Sequence, residues 1–368
     1  MRILQVLTYV SADGAYGGPV AVARAQCAEL AARGHEVQLV TAWDGQADPD
    51  VPGVRVRPHR AARLPGLGFA GLMAPGAWAD VRRLGRDADV VHLHYARDFV
   101  QMPSAAAVPR STPTVLQVHG MVRPDARASA RLLDAAFVRP AYRRASAHLC
   151  LTADEEAALQ DLGPVGGTVA RIRNGVPVTS TAATWSPRPR IVFLARLHER
   201  KRPLAFVEMA ARMIAAGSPA RFDLYGPDEG EATRVRDLIS SSGLEERIAC
   251  HGAVDPRDVA AILASAQAYV LPSVREVFPM ALLEAMAAGV PSILTDDCGL
   301  SDELRARGTA AVTDGTPEQL ANAVTRVTSD EATWTEASRR SRADIAAHFS
   351  TASVVDRLER IYQEVLLP

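Results

Sequence analysis

The chain has 368 residues, 48% hydrophobic and 23% charged, with a formal net charge of −1. That length exceeds the size at which one hydrophobic core stops growing, so two domains are expected, and the balanced charge excludes nucleic acid as a partner. No stretch approaches a membrane span, and Ile3 to Leu7 is too short an apolar run for a signal peptide. Cys27, Cys150, Cys250 and Cys298 are scattered without paired spacing, which points to a reduced cytoplasmic interior and no zinc site.

In chain order, Ile3 to Leu7 reads as a strand, followed by a loop from Thr8 that ends in Tyr16-Gly17-Gly18. Pro19 is expected to open a helix that runs to about Arg33, with Gly34 beyond its end, and Glu36 to Thr41 is the next strand. No Gly-x-Gly-x-x-Gly and no Walker lysine accompanies this βαβ unit, which argues against a dehydrogenase or a P-loop NTPase. The Arg-rich stretch 45–86 holds one further strand and a partly amphipathic helix. Its Asp48-Pro49-Asp50 has the form of a metal-binding Asp-x-Asp, a pattern that polar loops produce by chance.

Two buried strands follow, Asp89 to His94 and Pro113 to His119. Histidines at the carboxyl ends of parallel strands are aimed at the edge where open α/β sheets bind ligands. His92 and His94 read as hydrogen-bonded strand-end histidines; His119, followed by Gly120, reads as functional. Helical patterns at 127–145 and 153–163 flank the strand Ala147 to Leu151, and the first carries a basic face that a solvated surface or a membrane surface would accept. Asn174-Gly175-Val176-Pro177 and the Ser/Thr/Pro stretch 179–189 mark a domain boundary.

The second half restarts the pattern, with strands at 190–195, 222–225, 248–250, 268–271 and 292–295. Helices fall between them, a largely helical tail ends in an amphipathic segment near 351–366, and the whole reads as two doubly wound α/β halves. In this half Pro203 opens a helix, and Pro279 is expected to open another that Gly289 closes. Proline-started helices at the ends of predicted strands offer unpaired amides and a positive dipole end to an anion. Lys201, the only lysine among 41 basic residues, stands with Arg196 beside one of them, which suits a diphosphate. Glu284 lies in an otherwise apolar helix, eight residues after Glu276. It snorkels, meets a core arginine or, with Glu276, accepts sugar and ribose hydroxyls. Diphosphate and polyol together describe a nucleotide sugar.

The stretch Glu276 to Glu284, with Phe278, Leu283, Ala285, Met286 and Gly289, resembles the Glu-x7-Glu signature of glycosyltransferase family 4. These are retaining enzymes of GT-B fold, two Rossmann-like doubly wound parallel-sheet domains facing across a cleft. Gly17-Gly18, Arg33 to Val37, His119-Gly120, Asn174-Gly175-Val176 and Arg196 with Lys201 extend the resemblance over nearly the whole chain. It implies an acceptor-side domain at 1–180, a nucleotide-sugar domain at 187–350 and a last helix, 351–368, that crosses back to the first. Arg196 and Lys201 would neutralise the diphosphate, and Phe278, Pro279 and Met280 would face sugar and phosphate through their backbone. Glu284 would hold the ribose, Glu276 the transferred sugar, and His119 would lie over that sugar. Gly17 and Gly18 would let the first loop approach the phosphate, and Val254 would contact the base. The donor phosphate would deprotonate the acceptor hydroxyl, without metal or cofactor.

Val277 and Pro279 stand where the family often has glycine, and Pro279 offers no amide hydrogen. The acceptor is a small molecule, a glycan or a lipid-linked sugar, and a lipid-linked one would place the enzyme at the inner membrane surface. Two other readings stay open: a GT-B nucleotide-sugar epimerase, and a catalytically silent GT-B partner subunit.

Overall fold

The computed structural model describes residues 1–12, 17–64, 68–122, 124–179 and 181–367. The chain divides into two compact units, one of residues 1–175 with 351 onward and one of residues 176–350.

The first unit is built on strands β1 (Arg2–Val10), β2 (Glu36–Trp43), β3 (Arg55–Arg60), β6 (Val90–His94), β7 (Thr114–Gln117), β8 (Ala147–Cys150) and β9 (Thr168–Arg171). A two-residue antiparallel pair, β4 (Ala62–Arg63) and β5 (Leu72–Met73), interrupts them. The seven strands form one parallel sheet in the order β3-β2-β1-β6-β7-β8-β9. Strands β6, β7 and β8 are buried at every residue, as expected where helices cover both faces. The order reverses between β1 and β6, and such a reversal opens a crevice at the carboxyl ends of the strands.

The last helix, Thr351–Leu366, belongs to this unit. Its Val354, Val355, Leu358, Ile361 and Tyr362 join Ala23, Cys27 and Leu30 of the helix Gly17–Ala32 in one apolar cluster. Arg33 clamps the pair by donating to Asp356 (2.6 Å) and Glu359 (2.8 Å), and His35 Nε2 meets Glu359 at 2.7 Å.

Several expectations are corrected here. The helix starts at Gly17, so Pro19 is its third residue and not its first; proline costs nothing there because first-turn amides have no partner inside the helix. Tyr16 lies outside the described residues. The helical pattern at 127–145 is two helices, Ala128–Leu133 and Arg139–Arg144, joined by a π turn. Asp48 accepts from the Asp50 amide at 2.9 Å, so it serves a turn, and no three-residue cluster of metal-ligand type occurs among the described residues. No helix among them is long and apolar enough to cross a membrane.

The second unit carries β10 (Arg190–Leu194), β11 (Arg221–Tyr225), β12 (Ile248–Gly252), β13 (Ala268–Leu271), β14 (Ser292–Thr295) and β15 (Ala311–Thr313). They form a parallel sheet in the order β12-β11-β10-β13-β14-β15, with its reversal between β10 and β13. The loops leaving β10 and β13 are those that hold Arg196, Lys201 and Glu276.

Candidate functional site

In the second unit the site is assembled where β10 and β13 end side by side. Beyond β10, the Ala195 amide donates to Tyr225 O (3.0 Å) and the Leu197 amide to Pro227 O (2.8 Å), which holds the chain against the end of β11. Gly226 makes this approach sterically feasible: a Cβ there would stand 1.9 Å from the Ala195 carbonyl oxygen, and its φ of 145° excludes other residues. A short 3-10 turn, Glu199–Lys201, follows, capped by His198 Nδ1, which accepts from the Arg200 amide. Arg202 then takes a left-handed conformation (φ 52°) that swings the chain into the helix opened by Pro203.

The β13 loop is fastened to this turn and to β14. Val274 N donates to Arg200 O (2.9 Å), Arg200 Nη2 donates to Arg275 O (2.5 Å), and Arg202 Nη1 reaches Pro272 O (3.3 Å). On the far side the Arg275 amide donates to Asp297 Oδ2 (3.0 Å), the Glu276 amide to Asp297 O (3.3 Å), and the Gly299 amide to Glu276 O (2.8 Å). Arg275 is also left-handed, at 52°. Held this way, Glu276 directs its carboxylate onto the Lys201 ammonium in a short ion pair, with both side chains largely shielded from solvent.

Arg196 is differently placed. Its Nη1 donates to both carboxylate oxygens of Glu229 (2.8 and 2.7 Å), and its side chain is 57% exposed. Glu229 thus occupies the Arg196 guanidinium, a contact that sequence reasoning missed because nothing in the turn Pro227-Asp228-Glu229-Gly230 announces it. Asp297, which positions two amides of the β13 loop, was missed for the same reason.

The expected role of Pro279 as first helical residue is corrected. Pro279 (ψ 91°) is the cap, its carbonyl accepts from the Leu283 amide at 3.3 Å, and the helix is Met280–Ala287. No side chain caps it, so the amides of Met280, Ala281 and Leu282 form its open N-terminus and the proline removes none of them. The Phe278 side chain is 9% exposed and packs edge-on against Phe349, which leaves only its backbone for a ligand.

Glu284, one turn further, has no hydrogen bond or ion pair among the described residues, which removes the core-ion-pair alternative. It lines a cavity of about 300 Å³ with Pro177, Thr179, Pro256, Val259 and Leu263. Burial beside these apolar groups pushes its carboxyl up to about 7. Tyr269, buried and donating to Leu194 O at 3.1 Å, stands near both carboxylates: burial, Glu276 and then Glu284 all push its phenol well up. Val254 is half-buried in the loop after β12, two residues before the Pro256 that lines the cavity.

In the first unit His119 follows β7 in a left-handed conformation (φ 49°), with Gly120 at 72°. Its Nε2 lies 2.8 Å from His94 Nδ1, and His94 Nε2 lies 2.9 Å from Gln5 Oε1. His92 Nδ1 pairs with the Tyr362 hydroxyl at 2.7 Å, so His92 and His94 are the buried, hydrogen-bonded histidines their strand-end positions imply. Burial lowers His119 and His92 to about 3. Gly17 and Gly18 are the first residues of their helix, and a Cβ at Gly18 would meet no atom within 4 Å. Among the described residues the non-glycine residues with positive φ are His119, Arg202 and Arg275, one in each of three candidate-site loops. Backbone strain of this kind concentrates at ligand sites.

Residues 17–175 match the family model described as "Glycosyl transferase 4-like domain", and 183–346 the one described as "Glycosyl transferases group 1". The 2-deoxystreptamine N-acetyl-D-glucosaminyltransferase of Streptomyces fradiae is 30% identical over 373 residues, spanning 90% of this chain and 87% of that one. The N-acetyl-alpha-D-glucosaminyl L-malate synthase of Bacillus anthracis is 27% identical over 48% of this chain; the chain spans under half the length of that relative, as it does of others it matches. The crystal structure of Anabaena Alr3699/HepE in complex with UDP is similar in fold, with TM-score 0.76 at 16% identity over 99% of this chain and 100% of that one. Its paired Rossmann-like units are those of the GT-B fold, and the chain belongs to glycosyltransferase family 4.

Proposed function

We propose that the chain is a retaining glycosyltransferase that moves a sugar from a nucleoside-diphosphate donor to an acceptor hydroxyl. One observation carries this reading: Lys201 and Glu276 are paired at the topological switch point of the second unit, with Arg196 on the same loop and an uncapped helix N-terminus directly after Glu276. An ammonium, a guanidinium and first-turn amides are what a departing diphosphate needs, because they stabilise charge as it develops. In the ligand-free chain Lys201 spends its charge on Glu276 and Arg196 on Glu229; a diphosphate offers both cations a stronger anion. That exchange releases Glu276 to accept a hydroxyl of the transferred sugar.

Glu284 accepts the ribose diol from the floor of its cavity, and Val254 and Pro256 stand on the side where a base would stack. The two cations supply the neutralisation that a metal provides elsewhere, so the reaction proceeds without one. Retention follows from attack on the face the diphosphate leaves, with the phosphate oxygen taking the acceptor proton and no glycosyl-enzyme formed. In the second unit Met280 and Ala281 contribute amides to the phosphate; in the first, His119 meets a substrate hydroxyl, and Gly18, where a Cβ would meet no atom within 4 Å, leaves room at the start of its helix. The acceptor is a small molecule, a glycan or a lipid-linked sugar, and the enzyme works in the cytoplasm or at its membrane surface.

Lys201→Ala and Glu276→Ala are each expected to lower transfer by about 10²-fold or more while the chain remains folded by circular dichroism. Near-normal turnover in both would rule the reading out. Product formation without any acceptor would favour the epimerase, and failure to hydrolyse any donor would favour a silent partner subunit.

A further inference from the structure

The transferase reading gives His119 a substrate hydroxyl but leaves open which end of that hydrogen bond carries the proton. Strands β1, β6 and β7 lie side by side, with Gln5 opposite His92 and His94 opposite Gln117. Gln5 and His94 are fully buried. The Gln5 Oε1 that faces His94 Nε2 at 2.9 Å can only accept, so His94 carries a hydrogen on Nε2. His94 is neutral, because burial and the neighbouring His92 and His119 hold its imidazole well below the usual range. A neutral imidazole has one N–H, so His94 Nδ1 is an acceptor, and the His119 Nε2 that stands 2.8 Å from it must donate. His119 is then left with an unprotonated Nδ1, a buried atom that makes no well-aligned hydrogen bond although the Asn174 side chain lies close to the ring. The stacked rings, 5.1 Å apart and 14° from parallel, oppose a ring flip.

We propose that His94, held by Gln5, is a positioning residue that keeps the proton of His119 on Nε2, so that His119 offers a bare Nδ1 lone pair to a substrate hydroxyl. This rests on the transferase reading. A lone pair accepts from a hydroxyl and repels a phosphate oxygen, so His119 reads the polyol part of a ligand and not its diphosphate. Asn174, whose buried Oδ1 likewise makes no well-aligned hydrogen bond, is the group that the opposite tautomer would serve, so the proposal turns on the place of one proton.

The test is the position of that proton in the ligand-free full-length chain labelled with ¹⁵N-histidine. Two-bond ¹H–¹⁵N correlations report it, and His119 is assigned by its absence in His119→Asn. The expected result is His119 neutral with Nε2 protonated. His94→Leu shifts the proton toward Nδ1 and lowers kcat/KM about tenfold, the scale of one lost hydrogen bond. His94→Asn, whose amide oxygen stands near the former Nδ1, restores the wild-type tautomer and keeps kcat/KM within about threefold. A wild-type His119 protonated on Nδ1, or a tautomer that His94→Leu leaves unchanged, overturns the inference. Should His94→Leu fail to fold, the wild-type spectrum and that of Gln5→Leu, expected to show both tautomers, decide in its place. Failure of the transferase reading would show separately, as activity that survives Lys201→Ala and Glu276→Ala.

Discussion

A half-buried carboxylate without a partner among the described residues is the sharpest single-residue feature of the second unit. The carboxyl of Glu284 is held near 7 by burial, above its value in an unfolded chain, so the native state binds an extra proton between about pH 4.5 and 7. Stability contributed by that proton is complete below pH 4.5 and lost as pH rises through 7, on the order of 2–3 kcal/mol. Denaturant melts of the ligand-free chain should therefore lose stability over that window, and Glu284→Gln should flatten the dependence. An ionised Glu284 is the better acceptor for a ribose diol, so nucleotide binding near pH 6 should release protons, which calorimetry in buffers of differing ionisation enthalpy would detect. Glu229 makes the second residue-scale prediction. Freed from it by Glu229→Gln, Arg196 should bind a nucleoside diphosphate about three- to tenfold tighter; weaker binding would place Glu229 among the ligand contacts.

What was legible at this scale has a physical pattern. Lys201, Glu276 and Glu284 stood out because each is chemically conspicuous where it occurs: a lone lysine, and carboxylates in or beside an apolar helix. Glu229, Asp297, Gln5 and His94 act through contacts with segments distant in the chain, and polar residues in turns or in buried strands announce no such partner.

At the scale of elements, buried strands, the edge strand β12 and proline- or glycine-marked helices could be read, and the edge strands β9 and β15 could not. β6, β7, β13 and β14 are short apolar runs; β9 and β15 are a four-residue strand of sequence Thr-Val-Ala-Arg and a three-residue strand, both at a sheet edge, where one neighbour suffices and the apolar signal fades. Pro203 is the first residue of its helix as expected, whereas the starts assigned to Pro19 and Pro279 were off by two residues and one, because proline suits the cap and the whole first turn alike. The β10–β11 junction depends on the absence of a side chain at Gly226. Gly226→Ala puts a Cβ into the Ala195 carbonyl at φ 145°, and should cost about 3 kcal/mol or more, lowering the midpoint by roughly 6 °C or more. A midpoint shift under about 2 °C would mean that the Ala195–Leu197 segment is not held against β11.

At the scale of the whole molecule the duplication of doubly wound sheets explains why one chain carries two crevice-forming reversals, β1/β6 and β10/β13, with candidate residues at the carboxyl ends of both. That architecture was legible because the strand–helix rhythm restarts after the boundary near residue 176. The last helix closes the core of the first unit: Tyr362 is fully buried among residues of the first 40 and bonds to His92. Tyr362→Ala should cost about 3–5 kcal/mol, the range for a large buried aromatic, and should release the His92 ring it holds.

The central claim, a nucleoside diphosphate held by Lys201 at the β10/β13 switch point, is tested most directly by thermal unfolding with UDP, GDP, ADP and TDP, compared between the wild-type chain and Lys201→Ala. At about 100 times its dissociation constant, at least one of the four should raise the wild-type midpoint by roughly 5 °C or more, and the same concentration should leave Lys201→Ala nearly unmoved. No shift with any of the four, or an equal shift in both chains, would contradict the account.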